Sequence, residues 1–423
     1  MRLGFTLPTA AEPLRHRGFL ILWTTSLSMN LAMWVQNIAA TWWMISTDRP
    51  AEMIASIPLA LAAPGAILSV ASGVICDIFG WRRILLLAAV IISIGMTLLV
   101  GLHFQAWIGP IGLVLFTAAL GCGYTVRQPA VQGFLGALVP PNLLLEAIAL
   151  DSLNINLGRC LGPAFGGMIV AIGGVQLGFV TALVLTVSAL LAVRYLPPPA
   201  STANTARPGL WPLLKEGLYY CFREKLLQRI YVIIFAFSAS AQSVWVLIPI
   251  SFAAERLENP ALYGTMLSSI GAGAVVGAAL RSTLGQLLVC NKAIAISLGI
   301  ACVAPISLYF SLPPIAECIL LLCFGVTWTT IFSTTNFIVQ ATAPPSMKGR
   351  AISYYLSSMY LGLASGSLLW GASAGALGVR ETALLASVAL FALCGWAIYQ
   401  LAPAMRGAGL AGPDSLAVAR NRS

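Results

Sequence analysis

Charged side chains are scarce in this 423-residue chain. Asp, Glu, Lys and Arg together make up 9% of the residues, whereas about 25% is usual for a soluble domain. Apolar residues account for 59%, and the mean hydropathy is +0.90. Such a composition excludes an ordinary soluble protein and predicts a protein that crosses a membrane several times.

Other absences exclude whole classes of function. None of the four lysines follows a glycine, so the phosphate-binding loop of an ATP-driven pump is missing. The two histidines stand alone, and the nine cysteines are scattered without a CxxC pair. The sequence therefore predicts no catalytic group, no metal site and no cofactor. Since no basic soluble domain is present to hold a duplex, nucleic acid is not an expected partner either.

Long apolar segments are the dominant positive feature. A membrane-spanning helix needs about 20 mostly apolar residues. The sequence predicts an all-α membrane protein with twelve such spans, at about 18–45, 52–76, 83–103, 107–138, 145–172, 175–196, 228–253, 262–288, 293–311, 315–340, 350–374 and 380–402.

The basic residues predict the orientation of these spans. With the N-terminus in the cytoplasm, 18 of the 23 Lys and Arg residues fall on the cytoplasmic side, as the positive-inside rule requires. Both termini are then cytoplasmic. The net charge of +10 indicates contact with anionic lipid head groups.

The chain also repeats itself. Shifted by 204 residues, the stretch Gly121–Gly174 aligns with Gly325–Gly378 without a gap. Coincident glycines and prolines carry the match because each marks a backbone requirement. The identities include Gly121/Gly325, Pro140/Pro344, Gly158/Gly362, Gly162/Gly366, Gly167/Gly371 and Gly174/Gly378. Two parallel halves in a membrane protein indicate a transporter with its substrate site between them.

A polar stretch at the centre divides the halves. Residues 197–227 begin with three prolines and end in a basic amphipathic segment, which predicts a cytoplasmic linker with an interfacial helix. We therefore expect an N-terminal six-helix bundle over 1–196, a C-terminal bundle over 228–402 and a cytoplasmic tail over 403–423.

The segment between the second and third spans carries a recognisable motif. It reads Gly73-Val-Ile-Cys-Asp77-Ile-Phe-Gly80-Trp-Arg82-Arg83, which suits a latch between the cytoplasmic faces of two halves. It resembles the GxxxD-(R/K)-xG-(R/K)-RR signature of the major facilitator superfamily, with Ile78 and Trp81 in place of two basic residues. The resemblance implies twelve helices in two pseudo-symmetric six-helix bundles, and a gating role for Gly73, Asp77, Gly80, Arg82 and Arg83.

Further motifs resemble the bacterial transmembrane secretion effector branch of that superfamily, whose members include siderophore exporters and macrolide efflux proteins. These motifs are Arg15-His-Arg17-Gly-Phe19, Trp34-Val-Gln36, Asn156-Leu-Gly-Arg159-Cys-Leu-Gly162-Pro163, Glu216-Gly217-Leu218 and Tyr263-Gly264. The resemblance implies a multi-pass protein of the bacterial inner membrane.

The fifth span combines small residues with polar ones. Its glycines predict a smooth surface for close helix packing, and its proline invites a bend. The Gly-Pro pair resembles the motif that lies between the halves of exporter-type facilitators. These interface residues are Gly158, Gly162, Pro163, Gly166 and Gly167. On the same helix, Asp151, Asn154 and Arg159 share one polar arc at 100° per residue.

Arg127 and Asp151 are expected to lie close together. Both fall roughly 13–17 Å along their helices from the turn that joins spans four and five. Charges at that depth face the protein interior or a water-filled cavity. The pair, with Arg159, is either a structural brace or a protonatable switch for coupling, and the sequence leaves both interpretations open.

The superfamily architecture implies a substrate cavity lined by spans one, four, seven and ten. Polar and aromatic residues there suit an amphipathic or aromatic solute, although a tryptophan stripe is also typical of packing or of lipid contact. The candidates are Asn30, Trp34, Asn37, Tyr124, Gln242, Trp245, Trp328 and Asn336.

These observations predict a secondary active exporter of a small amphipathic solute, such as a siderophore-like metabolite or a drug. It would work as a monomer by alternating access, with the proton as coupling ion and membrane lipids around it. A lipid or lysophospholipid flippase of the same fold, and a non-transporting receptor or scaffold, are the alternatives.

Overall fold

The structure is a computed structural model. It describes residues 11–197, 219–221, 223–255, 258–284, 291–310, 312–344 and 347–407. The predicted linker falls almost wholly outside this part of the chain, as do residues 408–423 of the predicted tail.

Helices account for nearly all of the described residues, and none of those residues forms a strand. Two short 3-10 helices, Glu12–Arg15 and Pro141–Leu143, precede longer elements. The α-helices are α1 (Arg17–Ser46), α2 (Ala51–Phe79), α3 (Trp81–Phe104), α4 (Pro110–Leu135), α5 (Leu144–Val193), α6 (Lys225–Ala254), α7 (Pro260–Leu284), α8 (Asn291–Ala301), α9 (Val303–Phe310), α10 (Pro314–Thr342), α11 (Lys348–Leu377) and α12 (Val379–Gly407).

These twelve helices match the twelve predicted spans one to one, with two exceptions. The fifth and sixth spans are the two arms of α5, which reverses at Gly173 and Gly174, where the backbone leaves the helical region. The ninth span is broken into α8 and α9 at Cys302. Pro163 lies inside α5, but the interruption falls at the glycine pair.

Hydropathy alone identifies nine candidate spans among the described residues, with the two arms of α5 counted together. The helix α11 is not among them. It carries many Ser, Gly and Tyr residues and packs between α2 and α6. Because protein covers much of its surface, α11 needs fewer apolar side chains than a helix that faces lipid.

Each half repeats the same helix packing. In the N-terminal half, α1 packs on α5 and α2 on α4; in the C-terminal half, α6 packs on α11 and α7 on α10. The halves meet along two pairs of helices, α2 with α11 and α5 with α7. The fold is therefore two pseudo-symmetric six-helix bundles.

The glycines of the repeat occupy equivalent places in the two halves. Gly174 has φ 70° and ψ −175°, and Gly378 has φ 91° and ψ 167°. Only glycine adopts this region readily, and each residue turns the chain from one span into the next. Gly121 faces the backbone of α2 at Leu61, and Gly325 likewise faces the backbone of α7 at Ile270.

The two ends of the bundle differ in charge. At one end, Arg82 on α3 donates hydrogen bonds to the carbonyls of Arg194 (3.2 Å) and Leu196 (3.1 Å) after α5. We call this end, which also carries Arg17 at the start of α1 and Lys348 at the start of α11, the basic end. The opposite end holds the turn between α1 and α2.

Candidate functional site

A hydrogen-bonded chain of polar side chains lies inside the N-terminal half. Asn30 on α1 donates from Nδ2 to Oδ1 of Asn154 on α5, at 2.9 Å. Arg127 on α4 donates from Nη2 to Oδ1 of Asn30, at 2.6 Å. Asn154 in turn donates to the carbonyl of Trp23, at 2.6 Å. Three helices are thus joined through Asn30, which is buried like Arg127 and Asn154.

The glycines of α5 make this arrangement possible. A Cβ atom at Gly158 would lie 2.8 Å from Cβ of Asn30, and one at Gly162 would lie 2.6 Å from Cβ of Trp34. Gly166 faces Val35 in the same way. Real carbon contacts are about 3.5–4.0 Å, so larger residues would push α1 away. These three glycines therefore bring α1 against α5 within one half, not one half against the other.

Asp151 lies near Arg127 without touching it. Its side chain is 8% exposed and interacts electrostatically with Arg127. Within the described part of the chain, no hydrogen bond or ion pair involves the Asp151 carboxylate. The direct partner of Arg127 is Asn30, and Nε of Arg127 is buried with no hydrogen-bond partner among the described residues.

A tyrosine from the other half reaches the same region. Tyr360 on α11 interacts electrostatically with both Arg127 and Arg159. Its ring lies on α2, where a Cβ atom at Gly65 would be 2.5 Å from the Tyr360 ring. Tyr124, one turn before Arg127 on α4, is also buried, with a hydroxyl that has no partner among the described residues.

Aromatic side chains continue the site across the interface. Trp34 of α1 and Trp245 of α6 have ring centroids 5.8 Å apart. The ring centroid of Trp245 lies 6.3 Å from that of Trp328, which in turn lies 4.7 Å from that of Phe332. We call these four residues the aromatic wall. Three of the predicted cavity residues are therefore brought together, and they join the halves.

The remaining cavity candidates lie around this wall. Asn336 lines an open cleft of about 460 Å³ on the basic-end side of the wall, together with Phe332, Ser333 and Tyr355. Gln242 donates a hydrogen bond to Ser367 at 3.0 Å, within the C-terminal half. Asn37 is buried on α1, one turn beyond Trp34.

Close backbone packing holds the halves together along α5 and α7. A Cβ atom at Gly264 would lie 2.9 Å from Cα of Gly167. The Ala164 amide donates to Oγ of Ser268 at 2.7 Å. Pro163 has no N–H group and cannot donate to the carbonyl of Arg159. This carbonyl faces Gly271 of α7. Of the five predicted interface residues, Gly167 and the Pro163 carbonyl meet the other half, whereas the nearest neighbours of Gly158, Gly162 and Gly166 are on α1.

Aromatic rings also close the opposite end of the bundle. Trp42 of α1 lies 6.3 Å from Phe252 of α6 and 6.3 Å from Tyr263 of α7. All three side chains are buried. The cleft beside Asn336 and this closed end lie on opposite sides of the aromatic wall.

The predicted gating motif is only partly described. Gly80 has φ 86° and ends α2, so α3 begins at once with Trp81. Arg82 bonds to the end of α5 within its own half, and Arg83 is exposed. Gly73 and Asp77 belong to the last turns of α2, but their side-chain environment lies outside the described part of the structure.

Sequence reasoning missed three residues that join helices in this site. Tyr360 and Ser268 act between the halves, and Ser367 pairs with Gln242. Tyr360 had a signal available, because the 204-residue shift places it opposite Asn156 on the polar α5. Isolated serines in an apolar helix give no comparable signal.

Comparison with known proteins settles the family. The family model for transmembrane secretion effectors matches residues 8–410. The chain belongs to this family. Its members are transporters of the major facilitator superfamily, so the chain is a membrane transporter and not an enzyme.

Characterised relatives of this family member are distant. The multidrug efflux pump Tap of Mycobacterium tuberculosis is 25% identical over 411 residues, covering 94% of this chain and 96% of Tap. The enterobactin exporter EntS of Escherichia coli O1:K1 is 27% identical over 310 residues, 71% of each chain. The staphyloferrin A transporter of Staphylococcus aureus is 26% identical over 150 residues, 35% of this chain and 38% of that protein.

Solved structures support the same fold. The nucleoside transporter NupG matches with a TM-score of 0.69 at 14% identity, over 91% of this chain and 99% of that one. A bacterial homologue of the lysosomal transporter Spinster, in an inward-facing conformation, matches with a TM-score of 0.66 at 15% identity, over 93% and 97%.

Proposed function

We propose that this transporter is a secondary active exporter of a small amphipathic solute and works by alternating access. The observation that carries the proposal is that both halves supply side chains to one central site. Trp34 and Arg127 come from the N-terminal half, and Trp245, Trp328 and Tyr360 from the C-terminal half. A site shared in this way changes when the halves rock, as transport requires. The relatives that export drugs and siderophores support the outward direction.

The proposed orientation places the basic end in the cytoplasm of a bacterial inner membrane, with both termini there. The positive-inside rule supports it. The aromatic closure of Trp42, Phe252 and Tyr263 then lies on the outer side, and the cleft beside Asn336 is on the cytoplasmic side of the aromatic wall. A solute would enter from the cytoplasm in this conformation and leave after the outer end opens.

The proposed coupling ion is the proton, and the proposed coupling residue is Asp151. Seven residues into α5, it is the described carboxylate farthest from a helix end. Binding of a proton removes the negative charge beside Arg127. Such a change alters the attraction between α4 and α5 strongly because their surroundings have a low dielectric constant. Acidic residues of this kind inside transporters commonly form proton relays.

A variant series tests the coupling. We expect Asp151→Asn to abolish transport driven by a pH gradient in inverted membrane vesicles, while Asp48→Asn, at an exposed turn, leaves it intact. Dissipation of the pH gradient is followed by a fluorescent weak base after the exported compound is added. Proton-dependent transport that persists unchanged in Asp151→Asn contradicts the coupling role.

The gating motif is proposed to hold the basic ends of the two halves together when the outer end is open. The role is supported by the position of Gly80, which ends α2, and by Arg82 and Arg83, which follow in the first turn of α3 at the basic end. Gly73 and Asp77 complete the motif in sequence.

The exporter function itself is tested on the extracellular metabolites of the source bacterium. Four strains are compared in iron-rich and iron-poor media: a deletion strain, and the same strain carrying the wild-type protein, the Arg127→Gln variant or the Arg49→Gln variant. We expect at least one compound to disappear from the medium of the deletion and Arg127→Gln strains and to return with wild type and Arg49→Gln. Identical extracellular profiles in all strains refute export, and a change confined to membrane lipids indicates a flippase.

A further inference from the structure

The centre of the bundle holds more positive than negative charge. Among the described side chains, Arg127 lies eight residues before the end of α4, and Arg159 lies fifteen residues after the start of α5. Among the described carboxylates, only that of Asp151, seven residues into α5, lies at the depth of Arg127. Two guanidinium groups and one carboxylate leave an excess of positive charge, and isolated charges are costly in such a place. A ligand of negative charge would lower that cost.

The two guanidinium groups also have hydrogen-bond donors to spare. A guanidinium group has five N–H donors in a planar fork that fits carboxylate-like groups. Arg127 uses one donor for Asn30, and its buried Nε–H has no partner among the described residues. For Arg159, no side-chain hydrogen bond or ion pair occurs within the described part of the structure. A buried donor without a partner costs free energy, so an acceptor supplied by a ligand would lower the cost at Nε of Arg127.

The two arginines lie near one asparagine, because Arg127 bonds to Asn30 and Gly158, the residue before Arg159, packs against it. Tyr360 is near both arginines as well. Its phenol interacts electrostatically with both of them, although they lie on different helices. It comes from the other half of the protein, so the space between the three residues lies at the interface that opens and closes. The Tyr360 hydroxyl adds a neutral donor within electrostatic range of the two cations.

The aromatic wall begins one helical turn beyond Asn30 on α1. Trp34 follows Asn30, the partner of Arg127, by four residues on α1, and it contacts Trp245 of the other half. Four residues of helix correspond to about 6 Å. A ligand that fills both features therefore has an acidic group joined to an aromatic or flat apolar body.

We propose that Arg127, Arg159 and Tyr360 bind the acidic group of an aromatic organic anion whose rings lie against the aromatic wall. The inference rests on the proposed export function and names the chemical class of its substrate. The inference excludes lipophilic cations as substrates. A carboxylate, a sulfonate or an ionised phenol would satisfy the site equally well, because each offers charged oxygen acceptors.

The test compares two probes of equal size and opposite charge. Naphthalene-1-sulfonate and 1-naphthylmethylammonium are titrated into the purified full-length protein in detergent, and binding is measured by calorimetry. We expect the anion to bind at least about 10-fold more tightly than the cation. Arg159→Gln should weaken binding of the anion by about 10- to 100-fold, the range for a charge-assisted hydrogen bond. Arg159→Lys should recover part of the loss.

The control is Arg49→Gln, which removes a positive charge at the opposite end, where Arg49 contacts Trp43 and Thr47. It should bind the anion as wild type does. Equal binding of the two probes, preference for the cation, or no binding of either probe to wild type overturns the inference. The comparison of the two probes on the wild-type protein decides between these outcomes even if an Arg159 variant does not fold. If the anion preference fails while the deletion strain still loses an exported compound, the export function stands and only the substrate class is wrong.

Discussion

The close contact between α5 and α7 predicts that one methyl group can shift the transport cycle. In Gly264→Ala, the added Cβ would lie 2.9 Å from Cα and 3.2 Å from N of Gly167, and closer still to the Pro163 carbonyl. Carbon contacts of about 3.5–4.0 Å are normal. All three neighbouring atoms belong to a helix backbone, so they cannot rotate away. The helices must separate by about 1 Å at this point.

The cost falls on the conformation in which these helices touch. Overpacking of this kind costs about 1–3 kcal/mol. The hydrogen bond from Ala164 to Ser268, at 2.7 Å and one turn further along α7, is stretched as well. A penalty of about 1–3 kcal/mol corresponds to a 5- to 150-fold change in the ratio of two conformations. We therefore expect Gly264→Ala to favour the state in which the opposite end is open.

Distance measurements between spin labels report this shift. Labels on Ser46 and Glu258, exposed near the opposite end in the two halves, are introduced into a cysteine-free background. We expect a longer-distance population to grow in Gly264→Ala. The matched control is Gly101→Ala on α3, where an added Cβ meets no atom within 4 Å. If both variants give the wild-type distance distribution, the close contact does not control the conformation.

Two further predictions concern stability, measured by thermal unfolding of the purified protein. Gly174→Ala and Gly378→Ala should each lower the free energy of unfolding by about 1–3 kcal/mol, because their backbone angles suit only glycine. The control is Gly299→Ala, which has open space around it and should keep the wild-type stability. Equal stability of all three variants would contradict the argument. Asn154→Ala should lose about 1–3 kcal/mol by leaving the Asn30 amide and the Trp23 carbonyl without their partner. Asn156→Ala, whose side chain bonds only to its own helix, is the comparison, and a similar loss there would refute the specific role of Asn154.

The depth of a residue in the membrane was predictable from the sequence, but the direction in which its side chain points around the helix axis was not. Counting residues from a turn placed Arg127 and Asp151 at the same level. Their rotation about the helix axes depends on how α1, α4 and α5 pack, and that packing puts Asn30 against Arg127. The same distinction applies to α5, where Gly158 and Gly162 face α1 but Gly167 faces α7.

The spans and the repeat follow from local properties. Hydropathy identifies a span because the bilayer acts on each segment separately. The repeated glycines identify equivalent positions because a positive φ or a close approach is a requirement of the backbone itself. The kink at Gly174 and the turn at Gly378 were therefore marked in the sequence before any contact was known.

The sequence by itself determined the membrane class, the number of spans, the duplication and the family. Only the tertiary structure decided that Tyr360 interacts electrostatically with Arg127 and Arg159, and that Trp34 meets Trp245. These residues lie some 200 residues apart along the chain. Their approach depends on the packing of α2 on α11 and of α5 on α7. Because such packing is the sum of many small contacts between the halves, no single motif encodes it.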